Sequence, residues 1–377
     1  MHHSIHFCIL GSNMKNKLIT TSFITMLILV FILNAVSPDH GLSVSERRKL
    51  KYFSDLDLSK VLSGGFIEDF EKVALDQFIF RDTYRRVKAF VAFNLFNKSD
   101  NNDIAVIEDQ IFKMEYPLNQ KQVLAFSEYI NKVSALYLTD NDVYYAIIPD
   151  KNYFLTDSDN LLRLDYDYLE QLVIKNVKGM TYINLFDVLT LSDYYRTDPH
   201  WKQENLLPVL IRLKEAMKLD TDFEDINYAI EEYSSFYGAY YGQAALSASP
   251  DHLKYLTNTI IQHAIVRNME SENQSDADVY DTQKLVGLDA YDVFLSGASP
   301  LITIESKVGD SEKELIIFRD SFASSLTPLL IEEYKKITLI DTRYVSHSSI
   351  GDYVDFEGAD VLFLYNTSVI NHSQILK

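Results

Sequence analysis

A single cysteine, Cys8, is present in 377 residues. That excludes a disulfide framework and a cysteine-based zinc site. Blocks of lysine and arginine are also lacking, and the net charge is −19, so nothing in the sequence offers a footprint for nucleic acid. Glycine and proline are sparse (12 and 8), and no segment repeats internally. At 47% hydrophobic and 24% charged the composition is globular, with length for a large core or a core plus a smaller module. Trp201 is the one tryptophan, against 25 tyrosines and 22 phenylalanines. Tyrosines can line a sugar groove by stacking, although a core ring with a wet edge accounts for most of them.

One long apolar run is present. Leu18 to Val36 carries no charge over about the length that crosses a bilayer. Lys15 and Lys17 precede it, which places the N-terminus in the cytoplasm and the bulk of the chain outside. A cleaved signal peptide is the rival: Ala35-Val36-Ser37 supplies small residues, but Pro38 follows directly. We read an uncleaved single-pass anchor over residues 18–36, within a first segment 1–37; Met14-Lys15-Asn16-Lys17 has the pattern of a natural start. Residues 38–103 read as a helical stem. From Ser45 to Asn97 apolar residues such as Phe66, Phe70 and Val73 recur at three-four spacing, broken at Gly64-Gly65. Arg81 to Arg86 reads as a solvated, salt-bridged helix face, and residues 98–103 as a polar loop.

From residue 104 onward strand and helix signals alternate. Ala105 to Phe112 suggests a hairpin. Helices are expected over 119–137, 165–176 and 205–218, and a further one after Ser321. Strands are expected over 143–148, 181–185, 301–305, 315–318, 337–340 and 361–365. The alternation implies an α/β domain over 104–377, with a mostly parallel sheet flanked by helices. Residues 221–281, acidic and rich in tyrosine, interrupt the rhythm and read as an insertion that caps the site.

Two motifs fall in loops beyond strand ends, where such sheets place their sites. In Asp198-Pro199-His200 the residues two apart point to the same side of an extended backbone. Pro199 favours that geometry for Asp198. The carboxylate then orients the imidazole, leaving its far nitrogen to take a proton from a hydroxyl. Ser321, directly after an apolar run, is the candidate hydroxyl of a Ser–His–Asp triad. Each residue has a plainer reading: Ser321 as a helix cap, His200 as a hydrogen-bonded structural histidine, Asp198 as a loop acid. The Ser321 N–H, near a helix start, is the natural oxyanion donor, and Gly297 is a candidate for a second. Arg343 is placed either against an acidic sugar or acetyl oxygen, or in a structural salt bridge; Tyr344 is grouped with it on the substrate side. No second His or Glu stands at ligand spacing from His200, so neither a metal nor another cofactor is expected.

Thr197-Asp198-Pro199-His200-Trp201 resembles the signature of the DHHW proteins, with proline in place of the first histidine. That family lies in the broader SGNH-hydrolase-like group, together with the alginate O-acetylation proteins of the bacterial periplasm. Other matching stretches follow in order: Ser63 to Phe66 with Asp76 and Arg81-Asp82, Phe236-Tyr237-Gly238, Asp289-Ala290-Tyr291 with Phe294 to Gly297, Arg319 to Phe322, and Ile340 to Tyr344. The likeness covers about residues 50–366. It implies an SGNH-like α/β fold whose nucleophile, base and acid fall on Ser321, His200 and Asp198. The activity implied is that of a membrane-anchored, extracytoplasmic carbohydrate O-acetyltransferase, acting on a cell-surface polysaccharide through an acetyl-serine. Its implied partner is a membrane-bound O-acyltransferase that donates the acetyl group. A carbohydrate acetylesterase with the same triad, and a non-catalytic glycan-binding protein on a degenerate SGNH fold, stand as alternatives. A second departure from the pattern is Arg319, where classical SGNH enzymes have glycine.

Overall fold

The computed structural model describes residues 2–43, 45–61, 65–159, 161–268, 276–309 and 311–377. Ser63 and Gly64 of the matched stretch, and the polar run at 271–275, lie outside the described residues. Two compact units form, residues 1–91 and 92–377.

The first unit begins with helix α1 (His2–Val36). Its segment Met14–Val36 has 23 residues, with a mean hydropathy of 2.3 over an 18-residue window, and is long and apolar enough to cross a membrane. Strands β1 (Leu42–Ser43) and β2 (Arg48–Lys49) then pair antiparallel, and helices α2 (Gly65–Asp76) and α3 (Arg81–Phe90) follow. The helix expected from Ser45 is therefore corrected: it starts at Gly65. Before it, side chains from the end of α2 compete for the backbone. Asp76 accepts the Lys51 N–H at 3.0 Å, and the Gln77 amide donates to the carbonyls of His40 (3.0 Å) and Lys51 (2.7 Å). The basic face of α3 is salt-bridged, with Glu46 receiving Arg81 and Arg85 as well as Arg48 of β2.

The second unit starts at residue 92. The polar segment near residue 100 is structured: β3 (Asp100–Asn101) pairs with β4 (Ile104–Ile107), and β4 with β5 (Gln110–Lys113). The remaining elements are α4 (Gln120–Tyr137), β6 (Val143–Ile148), α5 (Tyr166–Asn176), β7 (Thr181–Asn184) and α6 (Leu207–Met217). Then come β8 (Ala229–Phe236), α7 (Ala239–Ala244), β9 (Asp251–Thr257), α8 (Thr259–His263), β10 (Ile265–Asn268) and β11 (Leu301–Glu305). The chain closes with β12 (Glu314–Arg319), α9 (Ala323–Leu330), β13 (Lys336–Ile340), β14 (Asp360–Asn366) and α10 (Thr367–Asn371). Helix starts follow their local chemistry. Asn119 and Asp165 cap α4 and α5 through their side chains, and Pro208 sits in the first turn of α6, where a missing N–H costs nothing.

The central sheet runs in the order β10-β11-β13-β12-β14-β6-β7. Strands β13, β12, β14, β6 and β7 are parallel, while β11 and β10 add an antiparallel edge. The last strand of residues 221–281, β10, joins this sheet by pairing with β11. Alternation along β14 fills both faces. Val361, Phe363 and Tyr365 pack with α4 and α5; Leu362 and Leu364 pack with α6 and α9. Both layers of helices hold the strands so that β12 and β14 end side by side, and Ser321 follows directly on β12. Phe363 is fully buried and sits face to face with Phe318, ring centroids 4.5 Å apart. Phe363→Ala is expected to cost about 3 kcal/mol of stability, read as a lowered midpoint in urea unfolding with the slope unchanged.

Candidate active site

The loop that follows β7 folds back on itself. Tyr194 bridges Trp201, the Tyr195 N–H donates to the His200 carbonyl at 3.1 Å, and the Lys202 N–H donates to the Asp193 carbonyl at 2.7 Å. At its tip Asp198 is buried, and one carboxylate oxygen accepts both from the His200 ring at Nδ1 (2.6 Å) and from the His200 N–H (3.1 Å). Its other oxygen accepts the Ala239 N–H at 2.8 Å. The far nitrogen of the ring, Nε2, stands 2.8 Å from Ser321 Oγ. Asp198, His200 and Ser321 are therefore in one hydrogen-bonded line, from segments 121 residues apart.

Several groups hold this line. The Tyr291 ring lies flat on the imidazole, centroids 3.8 Å apart and planes 7° apart, and Phe322 packs on it at 4.8 Å. Trp201, fully buried, donates its indole N–H to the Phe322 carbonyl and to Ser325 Oγ, both at 3.0 Å. The Tyr291 hydroxyl donates to the same Ser325 oxygen at 2.9 Å. The turn carrying Ser321 is tied down by Asp320, which accepts the N–H of Phe322 (2.9 Å) and of Asn366 (2.6 Å). Burial pushes the Asp320 carboxyl up from its usual range. Arg319, also buried, donates to Ser324 Oγ at 2.7 Å, and burial pulls its guanidinium down.

Segment 236–241 closes on the acid from the other side. The Gly238 N–H donates to Thr197 Oγ1 at 2.8 Å, and the N–H groups of Tyr240 and Tyr241 reach the Thr197 carbonyl. A Cβ at Gly238 would stand 2.3 Å from the Asp198 Cβ and from the Thr197 carbonyl oxygen, so only glycine permits this approach. Below the loop, the buried Lys151 ammonium donates to three carbonyls: Ile111 (2.7 Å), Tyr195 (2.8 Å) and Arg196 (2.9 Å). It thereby joins β5 to the approach to Asp198. Burial pulls this ammonium down to about 7.

The three substrate-side candidates have local partners, and Arg343 is close enough to Asp320 to draw that carboxyl down. Arg343 forks onto its neighbour Asp341, at 2.9 and 2.6 Å, which is the salt-bridge reading of that residue. Tyr344 is half exposed, stacked under the Arg343 guanidinium. The Gly297 N–H donates to the Phe294 carbonyl at 3.2 Å. Its φ of +94° and the Asp292 carboxylate 2.6 Å from any added Cβ make it a turn glycine. Tyr291, Gly238, Ala239 and Lys151 were not assigned a role from sequence. The first three stand in or beside stretches matched to the family, which is the signal that marks them. Among the described residues no group of three or more His, Cys, Asp or Glu is placed to hold a metal.

No family model and no curated protein sequence matches this chain. Solved structures do. A DHHW family protein from Eubacterium siraeum aligns over 74% of this chain and 97% of its own length, with a TM-score of 0.60 and 17% identity. The fold is that of a DHHW protein. Bacillus cereus PatB1 is similar over 74% of this chain and 98% of its own, at a TM-score of 0.57 and 15% identity, and has also been solved with a sulfonyl adduct. The O-acetyltransferase domain of Pseudomonas putida AlgJ is more distant, with a TM-score of 0.44 and 11% identity over 72% of this chain and 93% of its own.

Gly238→Ala is expected to push segment 238–241 off Asp198 and lower turnover of a small acetyl ester about tenfold or more, with a stability loss of about 1–3 kcal/mol. Steady-state rates and a thermal melt on the same preparation check both. Lys151→Met leaves three buried carbonyls without their donor. The expected loss is about 3 kcal/mol in denaturant unfolding, well beyond that of a surface lysine.

Proposed function

We propose that this chain is an extracytoplasmic carbohydrate O-acetyltransferase that works through an acetyl-serine. The observation that carries the reading is the hydrogen-bonded line Asp198–His200–Ser321, at 2.6 and 2.8 Å. His200 Nε2 takes the Ser321 proton as Oγ attacks the donor's acetyl carbonyl, and returns it to the leaving group as the tetrahedral intermediate collapses. Asp198 holds the Nδ1–H tautomer and stabilises the imidazolium between those steps. In the second half a glycan hydroxyl gives its proton to Nε2 and attacks the acetyl-serine; the proton returns to Ser321 Oγ, and the acetyl ester leaves on the sugar. The Ser321 N–H, at the start of the turn into α9, is assigned to the oxyanion. The apolar helix α1 supports a membrane anchor, with the catalytic unit outside the cell membrane. Acetyl-CoA is absent there, which favours a membrane-bound O-acyltransferase as donor.

Full-length protein in detergent, incubated with a chromogenic acetyl ester and followed by intact-mass measurement, tests the reading. Wild type is expected to gain one acetyl group; Ser321→Ala is expected to gain none, and His200→Ala to lose about a thousandfold in rate. Adding glycan separates the outcomes, since transfer shifts the product from acetate to acetylated sugar. Acetate alone points to an acetylesterase, and absence of any adduct from folded wild-type protein rejects the triad chemistry.

A further inference from the structure

The end of the sheet at which the parallel strands finish also carries a cavity of about 770 Å³, a volume typical of small-ligand sites. We propose that it is a subsite for an uncharged saccharide unit of the acceptor glycan; this rests on the function proposed above. Three observations lead there.

The first is position. Strand β14 lies between β12, which delivers Ser321, and β6. Asn371 and His372, at the end of α10 after β14, line the cavity, and so does Asn119, which caps the helix leading to β6. Asn371 and His372 follow the carboxyl end of β14, the neighbour in the sheet of the strand that delivers Ser321. The cavity is also built from the chain that braces the catalytic loop. The Ile111 N–H on β5 donates to the Arg196 carbonyl at 2.9 Å, and β5 continues directly into Met114, Glu115 and Tyr116 of the wall.

The second is chemistry. Tyr116 presents an open ring, 59% exposed, at the cavity wall. Beneath it the buried Glu115 accepts from Ser368 Oγ at 2.9 Å with one oxygen. Its other oxygen stands 3.7 Å from His372 Nδ1, beyond hydrogen-bond reach, and retains acceptor capacity. His372 Nδ1 is engaged with the Ser368 carbonyl at 3.0 Å. An aromatic face beside a carboxylate and the amides of Asn119 and Gln120 suits a ring that is apolar on its C–H face and hydroxylated at its rim.

The third is charge. Around the cavity the carboxyl groups of Asp103 and Glu115 face a single lysine, Lys113. A polyanionic glycan meets no cationic cluster here, and it meets the field of a chain with net charge −19. An uncharged sugar meets neither penalty.

The experiment measures binding directly, by calorimetry on full-length protein in detergent, with neutral chito-oligosaccharides as probe and oligogalacturonate as the polyanionic comparison. Variants are Tyr116→Ala, Glu115→Gln and, as a control at an exposed tyrosine outside the cavity, Tyr353→Ala. Wild type and Tyr353→Ala are expected to bind the longer neutral oligomers alike, and Tyr116→Ala and Glu115→Gln about tenfold or more weaker, with unchanged melting curves. Tyr116 is a surface side chain, so its removal leaves the fold intact even if Glu115→Gln perturbs it. Equal binding by Tyr116→Ala and wild type, no binding of neutral oligomers, or preference for oligogalacturonate each overturns the proposal. Failure of the acyl-transfer reading registers separately, as wild type without an acetyl adduct, and leaves this comparison legible.

Discussion

The buried carboxylate of Asp198 is the constraint on which the site depends. A carboxylate removed from water needs donors on its oxygens. Here the donors come from the His200 ring, the His200 backbone and the Ala239 backbone. Satisfying it therefore fixes the imidazole and recruits a distant segment at the same time. The glycine at 238 follows from that requirement, since a side chain there would collide with the acid it helps to hold. Lys151 answers the same need from below, because the loop's carbonyls are buried too.

Much of the architecture was legible because it rests on local pattern. Helices α4, α5 and α6 are amphipathic and have recognisable starts; the strands of the parallel sheet are short apolar runs buried on both faces. The Asp198–His200 pair was legible for a similar reason, being two residues in one extended loop. Contacts between segments leave weaker traces. The flat stacking of Tyr291 on His200 has no spacing to betray it. A lysine after a strand reads as solvated surface, yet Lys151 is enclosed by three carbonyls. The start of the stem was misread because periodic apolar residues outvoted Asp76 and Gln77, whose side chains capture the preceding backbone.

Arg319 shows how the fold absorbs a departure from the glycine of classical SGNH enzymes. Its side chain is buried at the end of β12, with Nη1 on Ser324 Oγ. Among the described residues its Nε and Nη2 find no hydrogen-bond partner; the carboxylates of Asp341 and Asp320 offset only part of the cost of burial, and Arg343 adds to it. The turn beyond it is held by Asp320, which accepts two backbone N–H groups.

The order of the chain sets when the Asp198–His200–Ser321 line can assemble. Asp198 and His200 are synthesised long before Ser321, and the turn that aims Ser321 is held by Asn366, on the last strand of the sheet. Strand β14 must be seated between β12 and β6 before that bond exists. Contacts so remote in sequence form late in folding. A growing or partly folded chain consequently holds Asp198 beside His200 before the turn that carries Ser321 is fixed against them.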